Sequence, residues 1–109
     1  MNFDVIATEI FERKLKRLAK KHTSLAADLA LVIDELIINP TLGTLIGKDC
    51  YKLRIAITSK GRGKSGGARM ITYVRIIKQT VYLMDIYDKS EQATISNKEL
   101  QLLISILVE

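Results

Sequence analysis

The residues best suited to chemistry in this chain are cations. From Cys50 to Met84 stand Lys52, Arg54, Lys60, Arg62, Lys64, Arg69, Arg75 and Lys78, and no acid stands among them, although the chain has 12 acids. Such a run raises the local potential and attracts polyanions, nucleic-acid backbones above all. Lys52 and Arg54 are two residues apart in a stretch of period 2, so they share one face of a strand. Arg69, Tyr73 and Arg75 alternate in the same way in the next apolar stretch, and Tyr87 and Lys89 close the third. Arginine can hold phosphoryl oxygens bidentately, and a lysine crowded by cations is less inclined to stay protonated and can act as a base. Protonation of a leaving 5′-oxygen would fall to Lys89 or a tyrosine. The set supports metal-free RNA cleavage, in which the 2′-hydroxyl attacks the adjacent phosphorus while charge builds on the phosphoryl oxygens. It equally supports plain nucleic-acid binding, with a tyrosine or arginine stacked on a base.

Other chemistries find little material. One histidine and one cysteine give no metal-ligand spacing and no intrachain disulfide, so no metal and no cofactor is expected. Cys50 reads as a small buried apolar residue, and His22 as a surface residue favoured by a helix C-terminus. Gly61-Arg62-Gly63-Lys64-Ser65 invites comparison with a phosphate-binding P-loop, but the first glycine of that motif would fall at Thr58, and a strand rather than a helix follows. A flexible basic hairpin loop is the better reading, and its cations and backbone N–H groups suit a nucleic-acid backbone.

The elements that must position these residues are legible in outline. Asn2 to Ala7 reads as a strand. Residues 8–22 place Phe11, Leu15 and Leu18 at helical spacing, and a second helix capped by Thr23 or Ser24 puts Leu25, Leu29, Val32, Ile33, Leu36 and Ile37 on one stripe until Asn39-Pro40 stops it. The short link between them predicts an antiparallel hairpin. Residues 41–50 read as loop. Strands follow over Tyr51–Ile57, Ala68–Ile77 and Val81–Tyr87, joined by Thr58–Gly67 and a turn at Gln79-Thr80, as an antiparallel meander. Ser96-Asn97-Lys98-Glu99 is a capping box opening a last helix with Leu100, Leu103, Ile104 and Leu107 on one stripe. The expected fold is α+β, a helical hairpin packed on one face of a small antiparallel sheet, with a C-terminal helix. The other sheet face is expected to be partly open and to carry the basic residues.

The chain has 109 residues, a formal charge of +5, 48% apolar and 27% charged side chains, values of a globular protein and enough for one domain over residues 1–109. No segment is apolar enough to span a membrane, and the N-terminal stretch carries acids where a signal peptide carries Lys or Arg. A cytoplasmic location is expected.

Three segments carry a resemblance. CYKLR (residues 50–54), GRGKSGGARMITY (61–73) and VYLMDIYDKSE (81–91) resemble the RelE/HigB-like toxins of type II toxin–antitoxin systems, most of all the HigB-like branch. The resemblance implies a RelE-like fold and metal-independent cleavage of messenger RNA, typically on the ribosome. By position it implies that Lys52 and Arg54 are the basic pair of the central strand, with Lys52 the base. Arg69 is implied to hold the scissile phosphate. Lys89 falls where relatives place an arginine near the leaving group, and Ile95 where some carry a stacking tyrosine. Lys60, Arg62, Lys64, Tyr73, Arg75 and Tyr87 are then expected to bind RNA. The partners implied are mRNA, the ribosome and a cognate antitoxin, a helix-turn-helix HigA-like protein that covers the basic face or pries at the C-terminal helix. The rivals are a gyrase-inhibiting toxin of the ParE type, with the same fold, and a basic RNA-binding domain without catalysis.

Overall fold

The computed structural model describes residues 2–61 and 63–107. Strand β1 (Asp4–Ala7) leads into α1 (Glu9–Lys21) and α2 (Leu25–Ile38). Strands β2 (Thr44–Gly47), β3 (Cys50–Ile55), β4 (Ala68–Arg75) and β5 (Thr80–Asp88) follow, then α3 (Asn97–Leu107). Thr8 caps α1, its hydroxyl accepting from the Phe11 N–H at 3.2 Å, and the same hydroxyl donates to the Leu83 carbonyl, which ties the helix start to β5. Ser96 caps α3: its hydroxyl accepts from the Glu99 N–H at 3.1 Å, and the Glu99 carboxylate reaches back to accept from that hydroxyl at 3.2 Å.

The five strands form one sheet in the order β1-β5-β4-β3-β2. It is mixed rather than antiparallel, because β1 lies parallel to β5, Asp4 opposite Thr80 and Ala7 opposite Leu83. A parallel pair needs a crossover, and the chain between the two strands supplies it, with the helical hairpin covering one face. Strand β2 stands where a loop was expected. Its apolar content is one Leu-Ile pair, too short for a periodic signal, and a tight turn with Lys48 and Asp49 at φ 52° and 63° pairs it with β3.

The core has two compartments. Phe11, Leu18, Leu25, Leu29 and Leu36 from α1 and α2 pack on Leu53, Ile55, Met70, Val81, Leu83 and Ile86. On the opposite face Leu100 of α3 packs on Cys50, Ile71, Tyr73, Met84 and Tyr87. The helices therefore lie on both faces, and the second face is covered by α3 over much of its length. Strand β4, covered on both sides, is buried from Ala68 to Val74. A bulge keeps β5 in phase: Ile71 faces Asp85 while Thr72 faces Leu83, leaving Met84 as the extra residue. Strict alternation would put Asp85 in line with Val81 and Leu83 in the core. The bulge instead sets Asp85 at the β5 edge beyond the end of β1, where its carboxylate accepts from Lys14 Nζ at 2.6 Å.

Candidate functional site

Strand register lines up the chemically interesting residues. Arg54 of β3, Arg69 of β4 and Tyr87 of β5 stand directly opposite one another, and Lys52 is in the next row, opposite Ile71. All four belong to the face that α3 covers. Lys52 is half-buried and borders Ile95 and Leu100 where α3 begins, whereas Arg54 is exposed. Two arginines directly opposite each other repel, a cost that folding alone does not require. Here it is eased because Arg69 is not free. Its guanidinium, only 3% exposed, donates to the carbonyls of Lys64 at 2.8 Å, Ala68 at 3.2 Å and Ser65 at 3.2 Å. Arg69 thus fastens the loop between β3 and β4 to the sheet, while among the described residues Arg54, Lys64 and, in part, Lys52 present their cationic groups to solvent.

Tyr87 completes the row from below. Its hydroxyl is buried and has no hydrogen-bond partner among the described residues. Burial pushes its pKa above the ordinary tyrosine value; the nearby Thr94 side chain, although outside hydrogen-bonding geometry with the hydroxyl, and the charge of Arg69 oppose that push without cancelling it. A buried hydroxyl without a partner is costly in a finished structure and marks a group open to a further polar contact.

The loop itself is held from two sides. The buried Asp88 carboxylate accepts from Lys60 Nζ at 3.0 Å, pairs with His22 Nε2 at 2.9 Å, and accepts from the Ser90 N–H at 2.9 Å and the Ser90 hydroxyl at 2.8 Å. Burial alone would raise the Asp88 pKa; the bonds from Ser90, Lys60 and His22 outweigh it and hold the carboxyl well below the usual range. Asp28 of α2 takes the other side, accepting from the Thr58 N–H at 2.8 Å and the Thr58 hydroxyl at 2.5 Å. Ser24 links the same helix end to the Ser59 N–H at 2.8 Å. Gly67 closes the loop against β3: a Cβ built there would lie 2.0 Å from the Ile55 carbonyl oxygen. Gly67→Ala is therefore expected to force the strand ends apart and to cost about 3 kcal/mol, read as a lower urea midpoint.

Several expected RNA contacts are placed elsewhere. Lys60 is turned inward onto Asp88. His22 is not a surface residue but the partner of the same buried carboxylate, its side chain 11% exposed. Tyr73 is packed beneath α3, its ring 6.3 Å from that of Tyr82, and offers no face to a base. Arg75 pairs with Thr80 at the far end of β4, six residues and about 20 Å from Arg69. Arg62 lies outside the described residues. Lys89 is exposed just past β5, and its N–H donates to the Gly67 carbonyl at 3.0 Å, which sets it beside the loop. Cys50 is buried, as its apolar reading implied, and burial lifts its thiol to about 11. The Asp88 hub was the main feature missed; its visible trace is Asp88-Lys89-Ser90, the D-x-S pattern of an Asx turn.

Among the described residues no helix is long and apolar enough to cross a membrane. The fold matches solved structures of a toxin. The free-state structure of a RelE double-arginine mutant from E. coli superposes with a TM-score of 0.64 at 19% identity, covering 99% of this chain and 100% of that one. The isolated E. coli RelE toxin superposes with a TM-score of 0.58 at 21% identity, covering 95% and 98%. At such identities the likeness shows the fold. The family is shown by the sequence model of the RelE toxin of the RelE/RelB toxin–antitoxin system, which matches residues 8–107, nearly the whole chain. The chain belongs to the RelE family of toxin–antitoxin toxins.

Proposed function

We propose that this toxin is a metal-independent endoribonuclease that cuts messenger RNA on the ribosome and so stops translation in the cytoplasm. The observation that carries this reading is the row Arg54–Arg69–Tyr87 with Lys52 beside it, cations drawn from adjacent strands onto one face. Lys52 takes the proton of the 2′-hydroxyl. The 2′-oxygen then attacks the phosphorus, a 2′,3′-cyclic phosphate forms, and the bond to the 5′-oxygen breaks. Arg54 and Lys64 stabilise the charge that gathers on the phosphoryl oxygens, and Arg69 holds from beneath the loop that carries Lys64. The leaving 5′-oxygen takes its proton from Lys89 or from the Tyr87 hydroxyl. A base stacks on Arg54, since Tyr73 is covered. The partner that silences the site is a cognate antitoxin, a helix-turn-helix protein of the HigA kind.

Induction of the gene is expected to arrest growth and to create new 5′ ends in translated messages, seen by primer extension. Continued translation with no new ends would sink the reading.

A further inference from the structure

The segment that leaves β5 is wound around one side chain. The Asp88 carboxylate accepts from the Ser90 N–H at 2.9 Å and the Ser90 hydroxyl at 2.8 Å, and the Asp88 carbonyl accepts from the Glu91 N–H at 3.0 Å and the Gln92 N–H at 3.1 Å. Glu91 in turn reaches α1, 3.2 Å from Lys21 Nζ and 3.7 Å from the Arg17 guanidinium. From the other direction Lys60 Nζ and His22 Nε2 hold the same Asp88 carboxylate, which is 2% exposed. Lys89 sits inside this wrapping. Its own N–H donates to the Gly67 carbonyl at 3.0 Å, one step beyond the pairing of Ala68 with Asp88. Side chains alternate along such a ladder: Asp88 faces α1, so Lys89 leaves on the side of Tyr87 and Arg69. Three consecutive residues are thus fixed, while the Lys89 side chain stays exposed and makes no ion pair among those found in the described residues. A flexible surface lysine has no need of so firm a root unless its ammonium must reach one place.

We propose that Asp88 is a positioning residue, which through the turn at residues 88–90 holds the Lys89 ammonium where it protonates the leaving 5′-oxygen. This rests on the nuclease reading and chooses Lys89 over Tyr87 as the acid, the Tyr87 hydroxyl being buried. As the 2′-oxygen closes on phosphorus, the bond from phosphorus to the 5′-oxygen breaks. Its electron pair stays on the 5′-oxygen and takes a proton from Lys89 Nζ, which is left a neutral amine and regains a proton from water. A proton donor must lie within hydrogen-bond reach, and a displacement of about 1 Å can cost about 10²-fold in rate. The buried carboxylate supplies that precision: its bonds to Ser90 shape the turn, and its pairs with Lys60 and His22 anchor the turn to the fold.

The test uses the full chain and messenger RNA bound on ribosomes. At the position the parent cuts, mapped by primer extension, the 5′-oxygen is either kept or replaced by sulfur. A thiolate leaves without a proton, since thiols are far stronger acids than alcohols, so the sulfur substrate has no need of the acid. The readout is the single-turnover rate on oxygen divided by that on sulfur, in which losses common to both substrates, from lower stability or a looser Lys64 loop, cancel. Lys89→Ala is expected to lower this ratio by about 10²-fold. Asp88→Asn is expected to lower it by about tenfold, and Ser90→Ala, which removes one bond of the turn and keeps the ion pairs of Asp88, by about threefold. Leu29→Ala, a cavity in the core of α2, should leave the ratio unchanged. A ratio unmoved by Lys89→Ala, unmoved by Asp88→Asn and Ser90→Ala, or moved as much by Leu29→Ala overturns the proposal and leaves the nuclease reading standing. A parent that cuts neither substrate overturns the nuclease reading and the proposal with it.

Discussion

Lys52→Ala is expected to lower the rate of RNA cleavage by about 10³-fold while the protein stays folded, since removing a general base costs 10²–10⁴. Lys52 is half-buried and makes no ion pair among those found in the described residues, so little of the fold depends on it. Arg54→Ala, on an exposed side chain, is expected to cost about 10²-fold by removing one contact to the developing charge. The two act on one transition state, so the double variant should fall short of the product of the single effects. Arg69→Ala is a different case. It removes the donor to three loop carbonyls, so its loss of activity is expected to come with a lower melting temperature, whereas the Lys52 and Arg54 variants melt as the parent does. Single-turnover cleavage of a short RNA, or toxicity in induced cells beside thermal melts of the purified variants, separates these outcomes. If Lys52→Ala and Arg54→Ala both cleave at the parental rate, the cation row is not the active centre.

Asp88→Asn is expected to destabilise the protein by about 3 kcal/mol, because it leaves the largely buried Lys60 and His22 facing a neutral amide. It should also loosen the loop bearing Lys64, since Lys60 anchors that loop. The pH dependence has a definite sign. The Asp88 carboxyl is held below its ordinary value of 3.8 in the fold, so its contribution is complete above that value and is lost as pH falls below it toward the folded pKa. The parent protein is therefore expected to lose stability steeply below about pH 4, and Asp88→Asn to lose much less there. Urea midpoints measured between neutral and acid pH test this: parallel curves for the two proteins would remove Asp88 from the account.

Much of the scaffold is written in local pattern. The stripes of α1, α2 and α3, the stop at Asn39-Pro40, the cap at Ser96 and the alternation of β3 and β4 all appear where periodicity puts them, because each depends on residues within a few positions of one another. The shared face of Lys52 and Arg54 was legible for the same reason: a strand of period 2 leaves no other choice. That Arg69 joins them is set by the register of β4 against β3, which pairs it with Arg54. Strand β2 was not legible, since four residues with one apolar pair carry no period and depend on pairing with β3. The parallel placement of β1, the bulge at Met84 and the seat of α3 on the second face are long-range decisions; nothing near Asp4 or Leu100 in the chain encodes the neighbour it will meet.

The sequence by itself therefore determined which cations exist, that no acid interrupts them, and which of them share a strand face. Only the tertiary structure decided their employment. Burial makes an unpaired charge expensive, so Lys60 was drawn to Asp88 and Arg69 to loop carbonyls, while Lys52, Arg54 and Lys64 stayed at the rim where water or a phosphate can reach them.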